Sequence, residues 1–195
     1  MIWGKYQTPR EEHRIFLFVD LNASTSIAEK LGDEKYHLLL KDFFAAITNP
    51  ILDNKGEIYQ YVGDEVVVTW KYTEGIKLNR CINCFFDIKN YIAAKKDYFL
   101  KQYGFVPEFK GGMHCGNVIA GEVGIIKRDI TFSGDVLNTT SRIQGKCKEY
   151  GAELIISGRL LNQLNPIEKY KTVMLGSIQL RGKEKHVDLY SISLA

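Results

Sequence analysis

The chain has 195 residues, 45% of them apolar and 25% charged, with a formal net charge of +3. That size and balance are those of one large soluble globular domain able to bury a core of its own. The charge is too small to argue for nucleic acid, no apolar run approaches the ~20 residues of a membrane span, and no signal-peptide pattern opens the chain, so a cytoplasmic location is expected.

Residues 1–13 are mostly polar and unpatterned and read as a lead-in or linker; the domain is expected over 14–195. A first strand spans 14–21, where Ile15, Phe16, Leu17, Phe18 and Val19 run up to Asp20 and Leu21. A short helix follows over 26–31, then a longer one in which Tyr36, Leu40, Phe43 and Ile47 share a stripe. Pro50 and the following Asp53-Asn54-Lys55-Gly56 are expected to close that helix and turn the chain into a hairpin, 57–61 against 65–70.

A long helix is predicted over 74–103, then strands over 108–114 and 118–123 joined by a turn at Gly116-Asn117. Thr131-Phe132-Ser133 leads to a helix whose N-cap would be Asp135. Strands over 153–156, 173–180 and 187–193 complete the chain. The order of strands and helices lacks the strict alternation of a parallel sheet, which predicts an α+β fold, a mixed and mainly antiparallel sheet flanked by helices.

Four cysteines include one C-x-x-C, Cys81 and Cys84. Leu78, Cys81, Ile82, Phe85, Ile88 and Ile92 mark one helical face there, and no second C-x-x-C or His pair completes a tetrahedral zinc site, so these thiols are expected in the core.

Asp20 and Asp64 each end an apolar strand-like run, Asp64 on the tight hairpin after Tyr61-Val62-Gly63. Either acid alone is most simply a cap or turn residue. Together they look like a pair of metal ligands. After Asp20 and Leu21 comes a small polar loop, Asn22, Ala23, Ser24, Thr25 and Ser26, whose backbone N–H groups lead into a helix and suit a polyphosphate. The combination suggests a nucleoside triphosphate held through magnesium.

Further motifs follow in order: Phe109-Lys110-Gly111-Gly112-Met113-His114-Cys115-Gly116, then Gly134-Asp135-Val136-Leu137-Asn138-Thr139-Thr140-Ser141-Arg142, then Leu180-Arg181-Gly182-Lys183. The series resembles the catalytic domain of the class III nucleotidyl cyclases, the adenylate and guanylate cyclases, over nearly the whole chain from Arg14 to Ser193. The resemblance implies a ferredoxin-like core and a 3′,5′-cyclic nucleotide and pyrophosphate as products.

It also implies two divalent ions, Mg²⁺ or Mn²⁺, bridged by Asp20 and Asp64 with the Leu21 carbonyl completing the second site. Asn138 and Arg142 match the family's ribose-orienting and charge-neutralising pair. Lys183 matches a triphosphate-contacting lysine, and Lys110 stands where a phosphate-contacting arginine is common. Because family sites form between chains, a head-to-tail homodimer is expected, with no nucleic acid partner. The polar lead-in leaves room for a preceding sensor or membrane segment.

The base-reading positions depart from the family pattern. Gln60, four residues before Asp64, replaces the lysine of adenylate cyclases and the glutamate of guanylate cyclases, while Thr131, three before Gly134, fits the adenine type. An amide both donates and accepts. ATP is the first choice of substrate; a pyrimidine cyclase of the antiphage kind, a guanylate cyclase, and a non-catalytic dimerisation module remain alternatives.

Overall fold

The computed structural model describes residues 6–126, 128–165, 168–179 and 186–195. In chain order the elements are β1 (Arg10–Leu21), α1 (Ser24–Leu31), α2 (Asp33–Asp53), β2 (Glu57–Val62), β3 (Glu65–Lys71) and α3 (Tyr72–Ile76). Next come α4 (Arg80–Ala94), α5 (Lys96–Tyr103), β4 (Phe109–Val123), β5 (Asp129–Ser133) and α6 (Asp135–Gly145). The chain continues through α7 (Cys147–Tyr150), β6 (Leu154–Ser157), α8 (Gly158–Leu161), β7 (Tyr170–Gln179) and β8 (His186–Leu194). The sheet has eight strands in the order β2-β3-β1-β4-β6-β8-β7, with β5 paired to β4. Only β4 and β6 run parallel among the described pairs, so the expected mixed, mainly antiparallel sheet is what forms.

Strand β1 is central and buried on both faces, which is why its sequence reads as an unbroken apolar run. Ile15, Leu17 and Val19 face a core built with Leu39, Phe43 and Ile47 of α2 and Phe85 and Ile88 of α4. Phe16 and Phe18 point the other way, into a smaller cluster with Val67, Val118 and Val136. Cys81 and Cys84 belong to the larger core, as expected from their helical stripe.

Five local expectations give way to the structure. The first strand begins at Arg10, so residues 10–13 of the expected lead-in pair with β4, Arg10 opposite Ala120 and His13 opposite Asn117. Pro50 lies inside α2 instead of closing it. The helix carries on to Asp53 because Asn54 satisfies its end: the Asn54 amide donates to the Pro50 carbonyl at 2.9 Å and to Asp87 Oδ2 at 2.8 Å, and Trp70 Nε1 donates to the Asn54 carbonyl at 2.9 Å.

The expected helix over 74–103 is broken. Leu78 and Asn79 both take φ +55, and Asn79 Oδ1 accepts from the Asn165 backbone N–H at 3.0 Å, which anchors the break. Finally, β4 is one continuous strand through Gly116-Asn117. Gly116 marks a close approach of α6 instead of a turn: a Cβ there would lie 2.6 Å from Val136 Cγ2. At the start of α6 the N-cap is Gly134, with φ +154, and Asp135 falls in the first turn.

Candidate active site

Three strands meet at Asp20. In the antiparallel register it stands opposite Glu65 of β3 on one side and Lys110 of β4 on the other. Directly opposed residues share a face, so Glu65, Asp20 and Lys110 form a row on the Phe16/Phe18 side of the sheet. Asp64 sits beside this row in the two-residue turn Gly63-Asp64, where Gly63 takes φ +62.

Lys110 Nζ lies 2.9 Å from Asp20 Oδ2, and Gln144 Nε2 of α6 donates to the same oxygen at 3.0 Å. Burial pushes the Asp20 carboxyl above its ordinary range; Lys110 pulls it back, while the charge and hydrogen bond of Asp64 push it up again. Glu65 is pushed up to about 7, first by burial and then by the charges of Asp20 and Asp64. Burial also raises the Tyr36 hydroxyl on α2, with Asp64 adding to it and a hydrogen bond with Ser24 opposing it. Tyr36, Ser24, Asp64 and Asp20 are therefore near neighbours.

Three acids against one lysine leave negative charge in a half-buried cluster, a demand that hard divalent cations meet. Among the described residues no three His, Cys, Asp or Glu side chains already converge on one metal point. That donor set fits ions such as Mg²⁺, which use one or two carboxylates and complete their shell with water and substrate phosphates. Leu21 is buried, and the loop after it carries Asn22 half-buried, with exposed Ala23 at φ +55 as the N-cap of α1. Ser24 and Thr25 then open the helix, so their N–H groups lack intrahelical acceptors and are available to phosphate oxygens.

Helix α6 buries Val136, Thr139, Thr140, Ile143 and Gln144, whereas Asn138 and Arg142 are exposed. At 3.6 residues per turn, Asn138 and Arg142 lie about 200° around the axis from Thr140 and Gln144. Within one chain, then, the helix turns Gln144 to the acids and turns Asn138 and Arg142 away from them. Arg142 lines an open groove of ≈ 470 Å³ with Lys146, Glu149 and Gln179.

Gln60 is exposed and pairs with Val67, sharing the face of the smaller cluster; the strand bulges at Tyr59, between Ile58 and Gln60. Tyr59 crosses to β5, where its hydroxyl accepts from the Phe132 N–H at 3.3 Å and the rings lie 4.9 Å apart. Thr131 alternates with Phe132 and its hydroxyl donates to the Gly121 carbonyl at 3.4 Å. No hydrogen bond joins Gln60 to Thr131 among the described residues. Lys183 lies outside the described residues. Glu65 and Gln144 are the site residues that sequence reasoning passed over.

The family model "Adenylate and Guanylate cyclase catalytic domain" matches residues 7–193. The chain belongs to this family. Among curated relatives, this cyclase domain is 37% identical over 193 residues to adenylate cyclase 2 of Rhizobium meliloti (strain 1021), covering 99% of the chain and 53% of that relative. It is 25% identical to an adenylate cyclase of Anabaena cylindrica, covering 90% of the chain and 36% of that relative. The domain thus spans about half or less of the length of these relatives.

Among solved structures, the cyclase fold here superposes on the adenylyl cyclase CyaB from P. aeruginosa with TM-score 0.76 at 19% identity, covering 96% of this chain and 97% of that one. It superposes on the guanylate cyclase domain of RhGC from Catenaria anguillulae, solved with GTP, with TM-score 0.77 at 18% identity, covering 95% of this chain and 98% of that one. At such identities the likeness is one of fold.

Proposed function

We propose that this domain converts a nucleoside triphosphate, ATP first, into its 3′,5′-cyclic monophosphate and pyrophosphate. One observation carries the reading: Asp20 and Asp64 are drawn together with Glu65 at the strand ends beside the opening of α1. In the reaction the ribose 3′-oxygen bonds to the α-phosphorus, its proton passes to solvent, and the bond from the α-phosphorus to the bridging oxygen breaks as pyrophosphate leaves. Asp20 and Asp64, with the Leu21 carbonyl, would hold two divalent ions, Mg²⁺ or Mn²⁺. When bound, such ions make the attacking oxygen more nucleophilic and neutralise the triphosphate.

The residues of the chain do the rest. The N–H groups of Ser24 and Thr25 receive the phosphate chain. Arg142 neutralises charge growing on the α-phosphate with a planar, permanently charged fork, and Asn138 orients the ribose. Lys110 and Lys183 add positive charge along the triphosphate. The outward turn of Asn138 and Arg142 supports a head-to-tail homodimer in which each chain lends this pair to the acids of its partner. Such a dimer has two equivalent sites, and it works in the cytoplasm.

ATP is favoured by the adenylate cyclase names of the curated relatives and by Thr131. The amide of Gln60 keeps a second reading alive, a guanylate or pyrimidine cyclase. Turnover of ATP, GTP, CTP and UTP by the wild-type chain, beside Asp20→Ala, tests both. Cyclic AMP as main product, lost in Asp20→Ala, is the expected result. Product from CTP, UTP or GTP alone would replace the base assignment, and no product from any of the four would leave a nucleotide-binding or dimerisation module.

A further inference from the structure

Gln144 is only 7% exposed, and a buried amide is tolerated only when its donors find acceptors. Its acceptor is Asp20 Oδ2, at 3.0 Å. The helix reaches that depth only because β4 has no side chain at Gly112, where a Cβ would lie 2.3 Å from the Gln144 backbone nitrogen. Just past the end of α6, Cys147 Sγ donates to the Gly111 carbonyl at 3.2 Å and holds the following turn against the same strand. Gly112 is two residues along β4 from Lys110, the cross-strand partner of Asp20, so the amide is delivered to the acid by strand register and helix packing together.

We propose that Gln144 is a positioning residue for Asp20: from α6 of the same chain it fixes one carboxylate oxygen, so that Asp20 presents itself to a divalent ion in a single orientation. This rests on the reading of Asp20 and Asp64 as cation ligands. Lys110 touches the same oxygen, yet it does so with a compact ammonium on a flexible stem, and an incoming cation repels it. The neutral amide of Gln144 feels no such repulsion and can keep its hydrogen bond in the loaded site. Partners one step behind the ligands of a metal site commonly set its affinity by 10–100-fold.

The test is direct Mn²⁺ binding to the nucleotide-free protein, followed by calorimetry and by the paramagnetic signal of the free ion, with circular dichroism verifying the fold of each variant. Gln144→Met keeps the length and loses the donor; Gln144→Asn keeps an amide that is one methylene too short. Both should weaken Mn²⁺ binding ~10-fold or more, and either variant suffices if the other does not fold. A role in packing alone would lower the unfolding midpoint and leave the affinity of the folded protein unchanged, which overturns the inference. Asp20→Ala separates the two layers: if it weakens Mn²⁺ binding while the Gln144 variants do not, the role of Gln144 fails and the cation site stands. If Asp20→Ala itself binds as wild type, the cation reading fails and takes the inference with it.

Discussion

Asp20 of β1 and Glu65 of β3 stand directly opposite one another in the antiparallel register, two acids at a position where strand pairs ordinarily avoid like charge. With Asp64 one residue away, the folded protein keeps a repulsion that a bound cation would relieve. A site of this kind favours function over stability.

Glu65→Gln should therefore stabilise the metal-free protein. A like-charge cross-strand pair costs up to about 1 kcal/mol, and for a chain of this size that corresponds to about 2–4 °C in Tm. Scanning calorimetry at pH 8 in the presence of a chelator checks this. A lowered Tm would mean that the acids do not repel in the folded state.

A second prediction concerns pH. His114 is buried on β4, its Nδ1 2.7 Å from Ser157 Oγ, and burial holds its pKa down to about 4, with Arg159 adding to the effect and Asp135 opposing it. Its ordinary value is 6.5. The unfolded chain thus binds a proton that the folded chain refuses between these values, so this contribution is full above pH 6.5 and is lost as pH falls towards 4. From pH 7 to pH 5 the loss is about 2 kcal/mol. Urea unfolding of wild type and His114→Gln at both pH values isolates it. The wild type should lose about 2 kcal/mol more than the variant; equal losses would place the titrating group elsewhere.

Gly112→Ala tests the seating of α6. The added Cβ would meet the Gln144 nitrogen at 2.3 Å, so the helix must shift. Overpacking of this kind costs about 1–3 kcal/mol, and the shift should reduce turnover further than the stability loss explains. Denaturant midpoints and kcat measured on the same preparations check it. Wild-type turnover in the variant would show that the site does not depend on the depth of α6.

Much of this was legible in the sequence, and the failures have physical causes. The apolar run through Val19 announced a strand, though not its central place in the sheet, and the Leu78-to-Ile92 stripe announced a core helix. The same stripe hid the break at Leu78-Asn79, since a pair of residues at φ +55 leaves no trace in periodicity. Gly116 read as a turn because a glycine that admits a helix and a glycine that bends a chain look alike in one dimension. Asp20 and Asp64 stood out by their strand-end positions. Glu65 and Gln144 did not: one is an ordinary charged residue beginning a strand, the other a lone amide on a helix. Only the register and the burial of α6 bring them to Asp20.

Base selection gives a further prediction. Gln60 shares the face of Val67 and is exposed, free to meet a base across a dimer interface. Gln60→Lys should raise the ratio of kcat/KM for ATP over GTP, and Gln60→Glu should lower it, each by ~10-fold or more for a buried hydrogen bond gained or lost. An unchanged order among the four triphosphates in both variants would move selectivity to neighbours such as Tyr59 or Phe132.

In the proposed dimer one chain supplies the acids and its partner supplies Asn138 and Arg142, because α6 turns this pair away from its own Asp20. Mixing Asp64→Ala with Arg142→Ala, each inactive alone, measures it most directly. In the heterodimer one of the two sites regains every group, so activity should return to as much as about half the wild-type value per heterodimer, following the one restored site of two. If the mixture stays inactive while sedimentation shows that heterodimers form, the whole site lies within a single chain and the account is wrong.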